Sequence, residues 1–357
     1  MKKVMVAMSG GVDSSVAALI LKNKGYEICG ATMKLFGNEN IGEKSKVCCS
    51  LKDSFDAKNV AASLGFNHYV FNFVDDFYND VIKKFAYSYL NALTPNPCLE
   101  CNRYLKFKKL LEKTMLLGCD YIATGHYAQI EYDKQVNRYI LKKSTDQSKD
   151  QTYFLYTMTQ YELSKTIFPL GSLSKSQVRN LAEKNNFINA NKPDSQDICF
   201  VKNGDYATFL KNSFGLEFMP GNFIDKDGKI LGRHKGIIYY TIGQRKGLGI
   251  SFGEHKYVIQ KNKSDNTIVL GDEKDLYKNK LIAGDINLIS IDKLSEPMQV
   301  TAKIRYNQKE TPAIIKPLIE NEIEVEFETG QRAITPGQAV VFYDKEKVIG
   351  GGTIKNE

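Results

Sequence analysis

Seven residues near the start of the chain, Ser9–Ser15, combine the groups that proteins use to bind phosphate. Gly10 and Gly11 lack a Cβ atom, so the backbone here can approach an anion closely and adopt positive φ. Serine hydroxyls in the same stretch add hydrogen-bond donors. Asp13 is the unexpected member, because a carboxylate repels phosphate unless a cation such as Mg²⁺ lies between the two. The stretch therefore predicts a phosphate-binding turn in which Asp13 acts through Mg²⁺.

The segments on either side of this turn are those of an anion site. The apolar run Val4–Met8 predicts a strand, and Val16, Leu19 and Ile20 predict the buried face of a helix. A strand, a glycine turn and a helix point backbone N–H groups at an anion. The turn lacks the ending of a Walker A loop and the spacing of a dinucleotide fingerprint. An ordinary turn capped by serine is the alternative, but the density of glycine, serine and aspartate favours phosphate.

A second reactive group is the C-x-x-C pair Cys98 and Cys101, which follows two prolines and begins a predicted helix. A thiol at a helix N-terminus, beside Arg103, is expected to have a lowered pKa and to be partly thiolate. A four-sulfur zinc site that includes Cys48 and Cys49 is the alternative. Adjacent cysteines rarely bind one ion together and no histidine completes the set, so reactive thiols are favoured over zinc.

Three other segments carry residues that could take part in chemistry. Tyr121–Thr124 predicts a buried strand that ends at Gly125 and His126, and the carboxyl end of a sheet strand commonly faces a ligand. Residues 149–151, Lys-Asp-Gln, open a segment rich in tyrosine and phenylalanine, which suits RNA contact but also describes a helix start over a core. Cys199 lies in a short apolar stretch and by itself indicates a buried cysteine.

These residues need a scaffold, and the pattern of the chain predicts one. The first half alternates strand-like and helix-like segments, which predicts an α/β domain with a mostly parallel sheet and helices on both faces. The composition changes after about Asp205, and Asp227-Gly228 between apolar runs predicts a hairpin. Short strands separated by turns then predict a small C-terminal β-barrel, a shape often used to bind RNA. These strands are predicted at Val300–Arg305, Ile323–Glu328, Ala339–Tyr343 and Val348–Ile354.

Length and composition narrow the class of protein. At 357 residues the chain is long enough for two or three domains. No apolar run approaches the length of a membrane span, and a strand begins too early for a signal peptide, so we expect a cytoplasmic protein with no membrane contact. The net charge of +8 suits a polyanionic partner. Seven cysteines in a cytosolic chain argue against a disulfide framework.

The motifs, taken together and in order, resemble those of the tRNA-specific 2-thiouridylases, and the resemblance covers essentially the whole chain. The resemblance rests on these residues: Ser9–Ser15, Asn96-Pro97 with Cys101-Asn102, Gly125-His126-Tyr127, Lys149-Asp150-Gln151, Ser195 with Ile198-Cys199-Phe200, and Tyr240–Gly247. The first of them resembles the SGGxDS pyrophosphate loop of enzymes that split ATP between the α- and β-phosphates. The resemblance implies an α/β pyrophosphate-loop domain of the adenine nucleotide alpha hydrolase type over residues 1–203, a central β-rich domain over 204–275 and a C-terminal β-barrel over 276–357.

The resemblance also implies a reaction. ATP, with Mg²⁺, adenylates the carbonyl oxygen at carbon 2 of a tRNA uridine, and sulfur then replaces that oxygen. The catalytic residues implied are Cys199, which carries the sulfur as a persulfide, and Cys101. Either the terminal sulfur attacks carbon 2, or Cys101 attacks the persulfide and releases sulfide; the second route leaves a transient disulfide between the two cysteines. The implied ATP-binding residues are Met8, Ser9, Gly10, Gly11, Val12, Asp13, Ser14, Ser15, Met33 and Gly125.

The implied partners are tRNA and a sulfur donor protein that loads Cys199, and the enzyme is expected to be a monomer. The substrate implied is the wobble uridine, position 34, of the lysine, glutamate and glutamine tRNAs. Residues implied to contact the target base are Asn96, Pro97 and Cys98. Residues implied to contact the rest of the tRNA are His126, Lys149, Asp150, Gln151, Arg305, Tyr306 and Gln338.

One residue departs from the family pattern. Many relatives carry aspartate, a candidate general base, where this chain has Cys98. Cys98 could act as a thiolate, take no part, or join Cys101 and Cys199 as ligands of an iron–sulfur cluster, which would replace the persulfide route. Two other functions stay open from the sequence: a pyrophosphate-loop ligase or amidotransferase acting on a small acid, and a tRNA-binding protein without catalysis.

Overall fold

Residues 1–37, 51–194, 198–201, 205–250, 255–319 and 321–356 are described by the computed structural model. In the first half of the chain, parallel strands form a five-stranded sheet in the order β3-β2-β1-β4-β7. These strands are β1 (Lys3–Ala7), β2 (Glu27–Lys34), β3 (His68–Asn72), β4 (Tyr121–Ala123) and β7 (Thr166–Ile167). The order reverses at β1, which has β2 on one side and β4 on the other. The predicted α/β domain with a parallel sheet is confirmed.

Helices cover both faces of this sheet. They are α1 (Val12–Asn23), α2 (Leu51–Ser63), α3 (residues 74–90), α4 (residues 97–116), α5 (Gln160–Ser164), α6 (Lys175–Lys184) and, after the sheet, α7 (Tyr206–Phe214). Side chains of β1 alternate between two apolar cores: Val4 and Val6 pack with α1 and α2, whereas Met5 packs with α3 and α4. A strand buried on both faces explains the continuous apolar run at Val4–Met8. Wider π-helical turns occupy Tyr78–Ile82 of α3 and Cys101–Leu110 of α4, and such turns are frequent at functional sites.

A small β-rich unit follows the parallel sheet. Its strands are β8 (Gly221–Ile224), β9 (Ile230–His234), β10 (Tyr257–Asn262) and β11 (Thr267–Gly271), in the order β10-β11-β8-β9. The predicted Asp-Gly turn joins β8 to β9, and Gly228 there has a φ of +85°. Phe223, Val258 and Ile268 of this unit belong to the same apolar core as α3 and α4, so the unit packs on the first domain.

The C-terminal strands close into a six-stranded antiparallel barrel, which confirms the predicted barrel. The ladder runs β12-β15-β14-β13-β16-β17 and closes through pairing of β12 with β17. The strands are β12 (Tyr277–Leu288), β13 (Met298–Lys303), β14 (Thr311–Pro317), β15 (Ile323–Arg332), β16 (Ala339–Asp344) and β17 (Lys347–Ile354). The hairpin of β5 (Gln129–Asp133) and β6 (Arg138–Lys142) extends this sheet, because Lys142 pairs with Lys347. The place of this hairpin beside the barrel was not predicted from the sequence.

Across the described ranges, none of the helices is both long and apolar enough to span a lipid bilayer.

Candidate active site

The predicted pyrophosphate loop lies where the order of the parallel sheet reverses. β1 ends at Ala7 and α1 begins at Val12, while β2 and β4 flank β1. In open α/β sheets, ligands bind in the crevice outside the carboxyl ends of the strands at such a point. The fold therefore gives Ser9–Ser15 the position at which this class of sheet binds its ligand.

Two glycines allow neighbouring backbone to approach the loop. Gly10 has a φ of +72°, and a Cβ atom there would lie 2.2 Å from the carbonyl oxygen of Asp53. A Cβ atom on Gly125, just after β4, would lie 2.7 Å from the backbone nitrogen of Ser14. Because real Cβ atoms do not approach other atoms so closely, both positions need glycine. Gly125 thus packs directly against the first turn of α1.

Hydrogen bonds inside and around the loop fix its shape. Ser14 Oγ donates to Gly11 O at 3.0 Å. Asn189 Nδ2 donates both to Gly10 O, at 3.0 Å, and to Ser15 Oγ, at 2.9 Å. Gly11 is the N-cap residue of α1 and has no side chain to cap the helix. The first N–H groups of α1 are therefore left to bind an anion.

The Asp13 carboxylate is held by a lysine and a tyrosine. Lys175 Nζ lies 2.8 Å from both Asp13 oxygens, and Tyr127 OH donates to Oδ1 at 2.9 Å. Lys175 Nζ also lies 2.7 Å from Asp194 Oδ1. Burial and the Asp13 charge raise the pKa of Tyr127, so its hydroxyl remains a donor. Burial alone would raise the pKa of Asp194, but hydrogen bonds from Lys175 and Lys149 lower it.

The contacts of Asp13 do not fit a magnesium site built by the protein. Both carboxylate oxygens accept hydrogen bonds from Lys175. Within the described ranges, no group of three or more His, Cys, Asp or Glu side chains could hold a metal ion. Mg²⁺ in nucleotide sites is commonly held by one or two carboxylates together with substrate phosphates and water. Because Lys175 binds both oxygens of Asp13, a magnesium ion would have to displace this lysine to reach the carboxylate, or be held by the polyphosphate without it.

Helix α4 carries the C-x-x-C pair in its first turns. The Asn96 side chain caps the helix by accepting from the Cys98 nitrogen at 3.2 Å, and Pro97 is the first helical residue. Cys98 is exposed, whereas Cys101 is partly buried at the start of the π-helical turns. The motif residues therefore set the direction in which α4 leaves the preceding loop, and with it the position of both thiols.

Arg103 joins the same helix to the barrel. Its guanidinium forms a two-bond ion pair with Asp285 of β12, with distances of 2.5 and 3.1 Å. The sequence suggested that this charge would act on the neighbouring thiol, but the guanidinium is committed to the barrel carboxylate. The ion pair fixes α4 against β12 instead.

Cys199 is anchored by the residue that follows it. Phe200 packs edge-on against Phe77 and Phe85 of α3, with ring centroids 5.7 and 5.1 Å apart. Cys199 and Cys101 are both partly buried, and both pack against the apolar core on the α3 and α4 face of the parallel sheet. The fold therefore brings two thiols that are far apart in the sequence to one core.

The described arrangement gives the iron–sulfur alternative no support. Cys98, Cys101 and Cys199 are all described, yet they do not form a group that could hold a metal ion. Cys48 and Cys49, needed for the zinc alternative, lie outside the described residues, as does Ser195.

Three predicted nucleotide contacts lie at element ends around the crevice. Met8 follows β1, and its backbone is tied to β2: Met8 N donates to Ala31 O at 2.7 Å, and Thr32 Oγ1 donates to Met8 O at 2.6 Å. Met33 is buried near the carboxyl end of β2, and Val12 is the buried first residue of α1. Their side chains are part of the two cores, so only their backbone atoms lie at the edge of the sheet.

His126, predicted to contact tRNA, faces the protein interior. Only 9% of the residue is exposed, and its ring lies 5.8 Å from Phe107 and 5.9 Å from Phe168. His126 Nδ1 is hydrogen-bonded to Thr124 Oγ1 at 2.7 Å. Burial, with a smaller effect of Lys106, lowers the pKa of His126 well below its usual value. The ring is therefore neutral at pH 7 and has the contacts of a structural residue.

The Lys-Asp-Gln segment is bonded to the segment that follows β4 and carries Gly125. Gln151 Oε1 accepts from the Tyr127 nitrogen at 2.9 Å. Asp150 is buried and accepts from Thr152 Oγ1 at 2.6 Å. Lys149 pairs with Asp194 at 3.0 Å but keeps 37% of its side chain exposed, so of the three it is the one best able to reach a phosphate. The main contacts of this segment therefore support the active-site loops.

The predicted tRNA contacts of the barrel lie on its seam with the first domain. Arg305 is partly buried and donates to two barrel oxygens at 2.8 and 3.1 Å, and burial lowers its pKa. Tyr306 packs on Phe154 with centroids 4.5 Å apart, and Gln338 Nε2 donates to Thr94 O at 2.8 Å. Tyr306 and Gln338 therefore join the barrel to the first domain, whereas Arg305 is hydrogen-bonded within the barrel.

Three residues that bind the loop were not identified from the sequence. Lys175 bonds Asp13, Asn189 bonds Gly10, and Lys192 Nζ donates to Gly10 O at 3.1 Å while pairing with Asp56 at 2.9 Å. All three lie in a stretch that reads as an ordinary basic helix and turn. A lysine facing solvent and a lysine facing the loop have the same sequence signal.

Comparison with known proteins gives matches along the whole chain. Residues 2–203 match the family model described as the tRNA methyl transferase HUP domain, residues 207–272 its PRC-barrel domain, and residues 278–354 the aminomethyltransferase β-barrel domain. The tRNA-specific 2-thiouridylase MnmA of Acetivibrio thermocellus is 53% identical over 358 residues, which cover 99% of each chain. The protein of that name from Clostridioides difficile is 52% identical over 354 residues, 99% of this chain and 98% of the other.

Solved structures are more distant. A 4-thiouridine synthetase in complex with RNA and ATP aligns with a TM-score of 0.32 and 13% identity, covering 59% of this chain and 50% of the other. The NMN synthetase of Francisella tularensis aligns with a TM-score of 0.35 and 15% identity over 61% of this chain and 79% of the other. Scores this low do not establish a common fold.

Proposed function

The chain belongs to the tRNA-specific 2-thiouridylase family, and on that premise we propose how its residues replace a uridine oxygen with sulfur. The protein is a tRNA-uridine 2-sulfurtransferase that forms 2-thiouridine and uses ATP. One observation supports the proposal most strongly. The pyrophosphate loop lies at the switch point of the sheet, while Cys101 and Cys199 pack against a single core on that same sheet. The division into residues 1–203, 204–275 and 276–357 remains part of this proposal.

The first step activates a poor leaving group. ATP lies on the N–H groups of α1, with Gly10 and Gly125 giving its phosphates access to the backbone. The uracil oxygen at carbon 2 attacks the α-phosphorus, the bond to the β-phosphate breaks, and pyrophosphate leaves. The proton on uracil nitrogen 3 is lost to solvent. Carbon 2 then carries AMP, which departs far more readily than oxide.

The second step brings in sulfur. Cys199 carries a persulfide, whose terminal sulfur either attacks carbon 2 directly or is released as sulfide when Cys101 attacks Cys199 Sγ. Attack on carbon 2 expels AMP. In the direct route the sulfur on carbon 2 is still bonded to Cys199 Sγ, and attack of Cys101 on Cys199 Sγ breaks that bond and releases 2-thiouridine. Cys101 and Cys199 then end as a disulfide in either route, and a thiol reductant supplies two electrons to restore them. This chemistry accounts for two partly buried thiols that are distant in sequence and share a core.

The finer features of the substrate come from the same resemblance. We propose that the target is the wobble uridine of the lysine, glutamate and glutamine tRNAs, held beside Asn96, Pro97 and Cys98. To reach these residues, the wobble base must leave the anticodon stack. A sulfur donor protein loads Cys199, and Lys149 is the predicted tRNA contact with the most accessible charge.

A reconstituted reaction tests the function. Unmodified tRNA is incubated with the protein, ATP, a cysteine desulfurase and cysteine, and its nucleosides are measured by mass spectrometry together with pyrophosphate. We expect 2-thiouridine to form and pyrophosphate to be released only when tRNA is present. Pyrophosphate release without tRNA but with a small acid would indicate a ligase instead. Binding of tRNA with neither product would indicate a protein without catalysis.

A further inference from the structure

We propose that Lys175 binds the pyrophosphate portion of ATP, and that Asp13 works by positioning this lysine and not by holding a metal ion. This inference rests on the proposed function, because it assigns a residue to the leaving group of the adenylation step. Lys175 lies outside the motifs that identify the family, in helix α6, and its Nζ reaches Asp13 of the loop.

The Lys175 ammonium group is largely buried beside the loop and is paired with two carboxylates. Its side chain is only 12% exposed, and its Nζ lies 2.8 Å from both oxygens of Asp13, the second residue of α1. The same Nζ lies 2.7 Å from Asp194 Oδ1. A charge this buried must be compensated by anions. The two carboxylates provide that compensation when the loop holds no phosphate.

The number of donors leaves room for a phosphate. A lysine ammonium has three N–H donors and no acceptor. In the described structure the three donors face the two Asp13 oxygens and Asp194 Oδ1. Because two of them go to one carboxylate, one can be exchanged for an oxygen of the polyphosphate on the first turn of α1. Asp13 alone would repel that polyphosphate, whereas the pair of Asp13 and Lys175 has no net charge. The ion pair therefore explains why a carboxylate is tolerated inside an anion-binding loop.

The backbone of Lys175 is held as firmly as its ammonium group. Helix α6 begins with a capping box in which Ser174 and Gln177 bond to each other's backbone. The Lys175 nitrogen donates to Asp146 Oδ2 at 3.0 Å. Tyr127 OH donates to Asp13 Oδ1, which fixes the other half of the pair. A side chain fixed at both ends loses little freedom when a ligand arrives, which favours binding.

A metal role for Asp13 makes the opposite prediction. A carboxylate that binds Mg²⁺ would have to share its oxygens with the ammonium of Lys175, and the two cations would repel each other. Loss of Lys175 would then help the metal to bind Asp13. In our proposal, loss of Lys175 removes the cation that the phosphates need.

Affinity for ATP and for AMP, measured by calorimetry, separates a phosphate contact from a structural one. Lys175→Met should weaken ATP binding about 10- to 100-fold, the range for a hydrogen bond to a charged group, and leave AMP binding within about twofold. Lys184→Met removes the same charge from an exposed site on the same helix and should behave like the unaltered protein. Equal losses for ATP and AMP, or no loss, would overturn the proposal. If the methionine variant does not fold, Lys175→Gln takes its place.

A double-variant cycle tests the role of Asp13. If Asp13 acts through Lys175, Asp13→Asn weakens ATP binding in the unaltered protein but not in Lys175→Met, where removing the carboxylate should even restore part of the affinity. A further loss in the double variant, together with a shifted Mg²⁺ dependence in Asp13→Asn, would identify a metal ligand and refute the proposal. An unaltered protein that neither binds ATP nor releases pyrophosphate would instead contradict the proposed function itself.

Discussion

Tyr127 and Gln151 hold each other through two hydrogen bonds of opposite direction. The Tyr127 nitrogen donates to Gln151 Oε1, and the Gln151 nitrogen donates to Tyr127 O, each at 2.9 Å. Tyr127 in turn donates its hydroxyl hydrogen to Asp13. A motif first assigned to RNA contact is thus part of the support of the pyrophosphate loop.

Gln151→Ala should therefore affect ATP before it affects RNA. The variant loses the side-chain half of the pair and leaves a partly buried N–H without its acceptor, which costs about 1–3 kcal/mol of unfolding free energy. We expect that loss in urea denaturation, together with a several-fold higher KM for ATP. The matched control is Gln135→Ala in the exposed turn of the β5–β6 hairpin. An unchanged KM for ATP with weaker tRNA binding would support a direct RNA contact instead.

Gly125→Ala should displace the loop. Its Cβ atom would lie 2.7 Å from Ser14 N and 2.8 Å from the Asp13 carbonyl carbon, and backbone cannot move away without shifting the first turn of α1. A misfit of this kind costs about 1–3 kcal/mol, so ATP affinity should fall roughly 5- to 150-fold. Gly37→Ala is the control, because a Cβ atom there has no neighbour within 4 Å among the described residues. Calorimetric titration with ATP distinguishes the two, and equal affinities would contradict the close packing of β4 and α1.

His126 should make the protein sensitive to acid. Its pKa in the folded protein is well below the usual value because the ring is buried, so the unfolded chain takes up the proton first as the pH falls below about 6.5. Stability from the neutral ring is complete above that pH and decreases below it, by about 1 kcal/mol between pH 6 and pH 5. Urea unfolding at these two pH values should show His126→Gln losing about that much less than the unaltered protein. His68 and His234, whose pKa values are also lowered by burial, remain in both proteins and cancel in the comparison. Identical losses of unfolding free energy in the two proteins would show that protonation of His126 does not cause the loss.

Cys98 should be dispensable for sulfur transfer. Asn96, not the Cys98 thiol, caps α4, and the three cysteines do not form a metal-binding group in the described structure. Cys98→Ser is expected to keep 2-thiouridine formation within about threefold, well under the tenfold change that 1.4 kcal/mol produces. The companion variant Cys101→Ser should lose it. Anaerobically purified protein is analysed for iron, sulfide and visible absorption. If the unaltered protein contains stoichiometric iron, and Cys98→Ser loses both the iron and the activity, the iron–sulfur route would be supported instead.

How much of the structure could be predicted from the sequence depends on how far apart along the chain the interacting residues lie. The strand, turn and helix at Ser9–Ser15 could be predicted because glycine, serine and apolar spacing act locally. The pairing of Lys142 with Lys347 could not, since neither segment carries a signal for a partner two hundred residues away. Lys175 was missed for the same reason. The motif around His126 was identified from the sequence, but the direction of the His126 side chain was not. A histidine after a buried strand can point toward a ligand or into the core.

Sulfur should reach the uridine through Cys199. The direct measurement loads the protein with ³⁵S from labelled cysteine and a desulfurase, removes the donor, and follows a single turnover after tRNA and ATP are added. We predict that label moves from Cys199 to 2-thiouridine, and that Cys199→Ala neither takes up nor transfers label while it still binds ATP. Labelled 2-thiouridine formed by Cys199→Ala at the rate of the unaltered protein would contradict the account.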